Sequence, residues 1–127
     1  MPDTSSKKIL VVDDEQDVLT HLTNILKHAH YEIISTTKGK EAVQLAKSEL
    51  PDLIILDIVL PDMDGGEVAA ILSENPSTSN IPIIYLTGIL AKEEESLAKK
   101  SGKHYVIAKP TTGREVLDKI KDILSSI

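Results

Sequence analysis

Acidic side chains directly follow two short apolar runs of this 127-residue chain. Asp13 and Asp14 come after the first run, and Asp57 comes after the third. Three carboxylates held within a few ångströms repel one another unless a cation lies between them. Magnesium suits such a set, because it binds a few carboxylate or carbonyl oxygens and keeps positions open for water and phosphate. If these chain positions meet, they predict a divalent metal site.

A hydroxyl and an ammonium group accompany two later apolar runs, as Thr87 and Lys109. A carboxylate can act as a nucleophile toward phosphorus and form an aspartyl phosphate. The reaction mainly requires that the phosphoryl group is positioned and that its oxygens are neutralised. Asp57 is the best candidate acceptor because it stands alone after the central run. Lys109 and a metal ion would supply positive charge, and Thr87 would supply a hydrogen bond.

Five apolar runs, separated by segments of helical length, indicate how these residues are positioned. Three of the runs are unbroken and rich in β-branched residues, which is typical of strands covered on both faces in a parallel sheet. The predicted fold class is α/β, a doubly wound sandwich of five βα units with strand order 2-1-3-4-5. Ligands bind beyond the carboxyl ends of the strands in such a sheet. The runs lie at residues 9–12, 33–34, 53–56, 83–86 and 105–108.

Apolar residues recur at helical spacing between these runs. The fourth of the five predicted helices, at about residues 91–101, has the weakest pattern because its sequence is polar. Met63 and Gly65 are interpreted as part of a turn that leads into the third helix. The residues predicted to face the core are Val18, Leu22, Ile25 and Leu26 in the first helix, Ala42, Val43 and Ala46 in the second, Val68, Ile71 and Leu72 in the third, and Val116, Leu117, Ile120, Ile123, Leu124 and Ile127 in the last.

Four stretches of the sequence resemble the receiver domains of two-component response regulators, the CheY-like family. They occur in the order and at the spacing of that family, and the resemblance covers essentially the whole chain. It implies a flavodoxin-like fold and a switch operated by phosphorylation. The matching stretches are ILVVDDE at 9–15, DLIILDIVLPDMDGGE at 52–67, PIIYLTG at 82–88 and AKP at 108–110.

The resemblance implies a role for each of the three grouped aspartates. Asp57 would accept the phosphoryl group, and Asp13 and Asp14 would form the acid pair beside it. The implied cofactor is Mg²⁺. Its site would comprise Asp13, Asp14, Asp57 and the backbone carbonyl of Val59, some of them binding the ion through water.

The resemblance also implies partners and an output. The phosphohistidine of a sensor histidine kinase or phosphotransfer protein would donate to Asp57, and Thr87 and Lys109 would contact the phosphoryl group. The population would then shift toward a form with a different surface on the fourth helix, the fifth strand and the fifth helix. A downstream effector protein or domain would bind that surface. The chain is therefore interpreted as a signalling module that catalyses the phosphoryl transfer to its own Asp57, and often the hydrolysis that follows in such domains, and not as a metabolic enzyme.

One position departs from the family pattern. Receiver domains usually carry Tyr or Phe three residues before the lysine of the fifth strand, where its ring reports the state of the threonine. Here that position is Val106, and Tyr105 lies one residue earlier. A one-residue offset in a strand turns a side chain to the opposite face. Tyr105 is therefore not assigned the usual aromatic role.

Composition limits the remaining possibilities. With 41% hydrophobic residues, the chain can form one core, and a single domain is expected over 1–127 with its core at about 7–126. The net charge of −6 argues against binding to nucleic acid. The absence of cysteine excludes disulfides and thiolate metal ligands. The sequence shows no membrane span or secretory signal, so a cytoplasmic location is expected.

Two other functions fit part of the pattern. A magnesium-dependent aspartyl phosphatase of the haloacid dehalogenase type would need a second acid two residues after its nucleophile, where this chain has Val59. An interaction module with the receiver fold, independent of phosphorylation, stays open because of Val106. The sequence also leaves open the cognate kinase, the effector, the oligomeric state, and whether the receiver acts alone or within a longer protein.

Overall fold

The computed structural model of the chain describes residues 7–87, 104–108 and 113–125. The strands are β1 (Lys8–Val12), β2 (Glu32–Thr36), β3 (Leu53–Leu56), β4 (Ile83–Thr87) and β5 (His104–Ala108). The described helices are α1 (Gln16–His28), α2 (Gly39–Glu49), α3 (Gly65–Glu74) and a C-terminal helix (Gly113–Ser125). The helix predicted at about 91–101 lies outside the described residues. In the described part of the chain, no helix combines the length and apolar character that crossing a membrane requires.

All five strands are parallel and lie in the order β2-β1-β3-β4-β5, which confirms the predicted doubly wound sheet. Because the strands are parallel, their carboxyl ends lie at one edge of the sheet, and the residues after β1 and β3 become neighbours. One register row crosses the sheet just before that edge. Its members are Thr36, Val12, Leu56, Tyr85 and Val106.

Successive strand residues alternate between two hydrophobic cores, as expected for strands covered on both faces. One core, here the α1 core, lies between the sheet and the pair formed by α1 and the C-terminal helix. The other, the α2–α3 core, lies between the sheet and α2 and α3. In β1, Ile9 and Val11 belong to the α1 core, whereas Leu10 and Val12 belong to the α2–α3 core.

The helices bury faces that differ slightly from the predicted ones. In α1 the fully buried line includes Leu19, which the sequence analysis missed, while Val18 and Ile25 are only half-buried. In α3 the prediction for Ile71 was wrong, because Ala69 faces the core and Ile71 is 37% exposed. Ile127 lies outside the described residues. The fully buried positions that match the prediction are Leu22, Leu26, Ala42, Ala46, Val68, Leu72, Val116, Ile120 and Ile123.

Candidate functional site

Three carboxylates meet at the carboxyl edge of the sheet. Asp13 and Asp14 follow β1, Asp57 follows β3, and an oxygen atom of each lies within 4.8 Å of the others. Asp13 and Asp57 are nearly buried, with 1% and 6% of their surface exposed, whereas Asp14 is exposed. The structure therefore brings together the three acidic residues that the sequence analysis grouped, with one open to solvent.

Backbone hydrogen bonds hold the two buried aspartates at their strand ends. The N–H of Asp57 donates to the carbonyl of Val12 at 2.9 Å, which continues the pairing of β3 with β1 beyond the strand. Asp13 Oδ1 accepts from the N–H of Glu15 at 2.9 Å, and Asp57 Oδ1 accepts from the N–H of Val59 at 3.2 Å. These bonds from residues two positions later fix each carboxylate relative to its own chain.

The donor set fits a small hard cation. Mg²⁺ binds oxygen at about 2.0–2.1 Å, so two ligands on opposite sides of the ion are about 4 Å apart. Carboxylate oxygens within 4.8 Å of one another therefore suit either direct coordination or coordination through water. Mutual repulsion among three carboxylates also favours a cation between them. Asp13, Asp14 and Asp57 are thus able to hold a divalent metal ion.

The two other predicted site residues are described less fully. Thr87 is the last residue of β4, in register with Ala108 of β5, so its backbone lies at the same edge of the sheet as Asp57. Its side chain lies outside the described part of the structure. Lys109 directly follows β5 and also lies outside the described residues.

The loop from Asp57 to Gly65 is tightly folded beside the carboxylates. The N–H of Gly65 donates to the carbonyl of Ile58 at 2.7 Å, and Asp64 caps α3 by accepting from the N–H of Gly66 at 2.8 Å. A β-carbon at position 65 would lie 2.4 Å from the carbonyl oxygen of Asp57. Glycine is therefore required where α3 begins against the backbone of the candidate phosphoacceptor, in agreement with the predicted turn.

Sequence reasoning missed Asp62, which is an exposed residue of this loop. Its two carboxylate oxygens accept from the N–H groups of Gly39 and Lys40, at 2.7 and 3.0 Å. The sequence holds one weak signal for this contact. Lys38, the N-cap residue of α2, has a side chain without an acceptor, so the first N–H groups of that helix need a partner from elsewhere.

The aromatic side chains confirm the offset seen in the sequence. Tyr105 packs against the α1 core, where Lys119 Nζ lies 5.2 Å from the centre of its ring, whereas Val106 packs against the α2–α3 core. Tyr85, the register neighbour of Val106, is fully buried in the α2–α3 core. Burial raises the pKa of Tyr85 to about 12. An aromatic ring therefore lies on the expected face of the sheet, but on β4 instead of β5.

Known proteins resemble this chain over nearly its whole length. It is 41% identical over 122 residues to PhoP of Bacillus subtilis, the alkaline phosphatase synthesis transcriptional regulatory protein, and the match covers 94% of this chain and 49% of PhoP. It is 31% identical over 119 residues to the polar-differentiation response regulator DivK of Brucella ovis, covering 94% of this chain and 97% of DivK. The chain therefore spans about half of one relative and nearly all of the other.

The fold and the family agree with these relatives. A CheY-like response regulator receiver domain protein from Methanospirillum hungatei superimposes with a TM-score of 0.89 and 30% identity, over 96% of each chain. The family model of the response regulator receiver domain matches residues 9–121. The chain belongs to the response regulator receiver domain family of two-component signal transduction.

Proposed function

We propose that Asp57 accepts a phosphoryl group from the phosphohistidine of a partner histidine kinase or phosphotransfer protein, in a reaction that requires Mg²⁺. The observation that carries this proposal is the convergence of three carboxylate oxygens within 4.8 Å at the carboxyl edge of the sheet. Asp57 is the member at the end of the central strand, and membership of the receiver family favours it as the acceptor. In this role the whole chain functions as one receiver domain.

The chemistry follows from the protein's own groups. An oxygen of Asp57 attacks phosphorus, the phosphorus–nitrogen bond to the donor imidazole breaks, and that nitrogen retains the bonding electrons. The bond from the N–H of Val59 holds Asp57 Oδ1 in one orientation, which limits the freedom of the nucleophile before attack. A bound Mg²⁺ would supply positive charge to the phosphoryl oxygens. The ion would be held by Asp13, Asp14, Asp57 and the carbonyl of Val59.

Thr87 and Lys109 complete the proposed site. Thr87 ends β4, the strand next to β3, and Lys109 follows β5 in the sequence. We expect Thr87 to donate a hydrogen bond to the phosphoryl group and Lys109 to contribute a fixed positive charge. Their movement toward the phosphoryl group would change the surface formed by the fourth helix, β5 and the C-terminal helix.

The output partner depends on the protein in which the receiver operates. The chain spans about half the length of PhoP and 97% of DivK. Receivers in the family thus occur both as part of a longer regulator and as nearly the whole protein. We expect an effector protein or domain to read the phosphorylated surface in the cytoplasm, without direct contact of this domain with nucleic acid.

Incubation with acetyl phosphate and Mg²⁺, followed by intact mass measurement, tests the proposal. The parent should gain one phosphoryl group, and Asp57→Asn should gain none because an amide cannot form the acyl phosphate. Asp52→Asn is a matched control, since Asp52 is an exposed aspartate that bonds the N–H of Lys8 at the other edge of the sheet. It should be phosphorylated like the parent. Equal gain in the parent and in Asp57→Asn would disprove the assignment of Asp57.

A phosphorylation-independent interaction module is the second candidate. The placement of Tyr105 against the α1 core favours it, because no aromatic ring occupies position 106 on the other face of β5. This alternative predicts that a partner binds with the same affinity before and after treatment with acetyl phosphate. A change in that affinity that is abolished by Asp57→Asn would support the switch instead.

A further inference from the structure

The loop after the candidate phosphoacceptor is hydrogen-bonded to the N-terminus of α2 through the exposed side chain of Asp62. We propose that Asp62 is a positioning residue that holds the 57–65 loop, and with it the backbone of Val59, in the geometry that receives the divalent cation. This inference rests on the proposed function, because it concerns the same metal site. Asp62 is not itself a ligand in this proposal.

The contact consists of two hydrogen bonds between segments far apart in the sequence. Asp62 Oδ1 accepts from the N–H of Gly39 at 2.7 Å, and Asp62 Oδ2 accepts from the N–H of Lys40 at 3.0 Å. The first N–H groups of a helix have no partner within the helix, and the helix dipole favours a negative charge beside them. Asp62 therefore caps α2 from outside, in place of Lys38 at the N-cap position, whose side chain has no acceptor.

The charge state of Asp62 agrees with this role. Hydrogen bonds from the N–H groups of Lys40 and Gly39 lower the pKa of Asp62 below its ordinary value. The carboxylate is thus the form that the contact stabilises. A charged acceptor makes stronger hydrogen bonds to backbone N–H groups than a neutral one does.

A packing contact between Met63 of the loop and Gly39 of α2 accompanies these hydrogen bonds. A β-carbon at Gly39 would lie 2.4 Å from Met63 Cγ and 3.1 Å from Val68 Cγ2. The side chain that follows Asp62 therefore occupies the space left by the missing side chain of Gly39. Hydrogen bonding by Asp62 and packing by Met63 act together to dock the loop on α2.

This anchor reaches the metal site through a short stretch of backbone. Val59 lies three residues before Asp62, and its side chain is 53% exposed, so packing does little to hold it. On its N-terminal side, the N–H of Val59 bonds Asp57 Oδ1. Pro61 restricts the backbone between Val59 and Asp62. Release of Asp62 would therefore leave the Val59 carbonyl free to turn away from the position that a metal ligand requires.

Magnesium binding without any phosphoryl donor tests this role. Isothermal titration of the full chain with MgCl₂ should show weaker binding for Asp62→Ala, on the order of tenfold, the lower end of the loss found for partners that orient metal ligands. Asp62→Asn keeps a carbonyl acceptor and can receive one of the two N–H bonds, so its affinity should lie between those of the parent and Asp62→Ala. Such partial rescue is expected only if hydrogen bonding to α2 is responsible.

Asp52→Ala is the matched control for stability. Asp52 is also exposed and accepts a backbone N–H, that of Lys8 at 2.8 Å, but at the opposite edge of the sheet. It should bind Mg²⁺ like the parent, even where its thermal midpoint falls as much as that of Asp62→Ala. Parental Mg²⁺ affinity in both Asp62 variants would overturn the inference and leave the proposed function intact. Absence of Mg²⁺ binding by the parent would overturn the metal site itself, and the positioning role with it.

Discussion

The two faces of the sheet are packed with side chains of different size. On the α1 core, α1 and the C-terminal helix contribute large aliphatic residues, among them Leu22, Leu26 and Ile120. On the α2–α3 core, the helices contribute alanine at three fully buried positions, Ala42, Ala46 and Ala69. Large apolar side chains bury more area for each residue, whereas small ones allow backbones to approach closely.

The α2–α3 face, which contains the buried alanines, also carries the loop beside the candidate site. The loop from Asp57 to Gly65 docks on α2 through Asp62 and Met63, and it enters α3 at a glycine that touches the backbone of Asp57. The buried Tyr85 also lies on this side of the sheet. We infer that the α1 core mainly stabilises the fold, whereas the α2–α3 face both stabilises it and positions the site.

The largest effect on stability is expected from Ile120→Ala in the α1 core. Ile120 is fully buried against the sheet, and truncation of such a residue costs about 2–5 kcal/mol of the free energy of unfolding, through lost burial and the cavity left behind. Urea denaturation measures this loss. At a temperature where the variant remains folded, its Mg²⁺ affinity should equal that of the parent. A weaker affinity there would show that the two faces are not separate in function.

Two glycines, one on each side of the sheet, allow a comparison with a smaller expected loss of stability. A β-carbon at Gly65 would meet backbone atoms, the carbonyl oxygen of Asp57 at 2.4 Å and Ile58 Cα at 2.7 Å. A β-carbon at Gly113, at the start of the C-terminal helix, would meet Ile25 Cδ1 at 2.1 Å, which is the flexible end of a side chain. The first contact can be relieved only by moving the site loop, whereas the second can be relieved by a change of rotamer.

Gly65→Ala should therefore reduce the free energy of unfolding by about 1–3 kcal/mol and also weaken Mg²⁺ binding. Gly113→Ala should stay within about 1 kcal/mol of the parent, because the better helix propensity of alanine offsets part of the repacking cost. Its Mg²⁺ affinity should not change. Chemical denaturation and calorimetric titration measure the two quantities, and parental metal binding by Gly65→Ala would contradict the proposed link between α3 and the site.

Much of the architecture could be predicted because it depends on local patterns. Unbroken apolar runs identify strands covered on both faces, and a parallel sheet brings the residues that follow them to one edge. Asp13, Asp14 and Asp57 could therefore be predicted to lie close together, because they follow two strands of this sheet. The face of Tyr105 was predictable for the same reason, since side chains in a strand alternate.

The features that escaped prediction depend on tertiary contact. Asp62 contacts Gly39 across 23 positions of the chain. Lys38 at the N-cap indicates that α2 needs an outside acceptor, but it does not indicate which residue supplies it. The prediction that Ile71 of α3 faces the core was wrong. The small residue Ala69 is buried there, while the larger Ile71 points outward. Hydrophobicity ranks side chains by their burial energy, but close packing selects them by size.

The smallest expected effect is a loss of stability at alkaline pH that originates on the α2–α3 face. Burial raises the pKa of Tyr85 from about 10, its value in an unfolded chain, to about 12, because the phenolate is poorly solvated in the core. The folded state thus holds the proton more tightly than the unfolded state does. The resulting stability is fully present below pH 10 and is lost as the pH rises through 12.

Tyr85→Phe should remove this part of the pH dependence, which we expect to be on the order of 1–2 kcal/mol after allowance for partial solvation of the phenolate. Tyr31→Phe is the matched control, because burial also raises the pKa of Tyr31, but that residue is only half-buried and packs on the α1 core. Urea denaturation of the parent and both variants between pH 9 and pH 12, about the range of the titration, should therefore show a flatter decline for Tyr85→Phe than for Tyr31→Phe. Equal slopes in the two variants would mean that water reaches Tyr85 as readily as it reaches the half-buried Tyr31. The two faces would then not differ in how strongly they bury these two tyrosines.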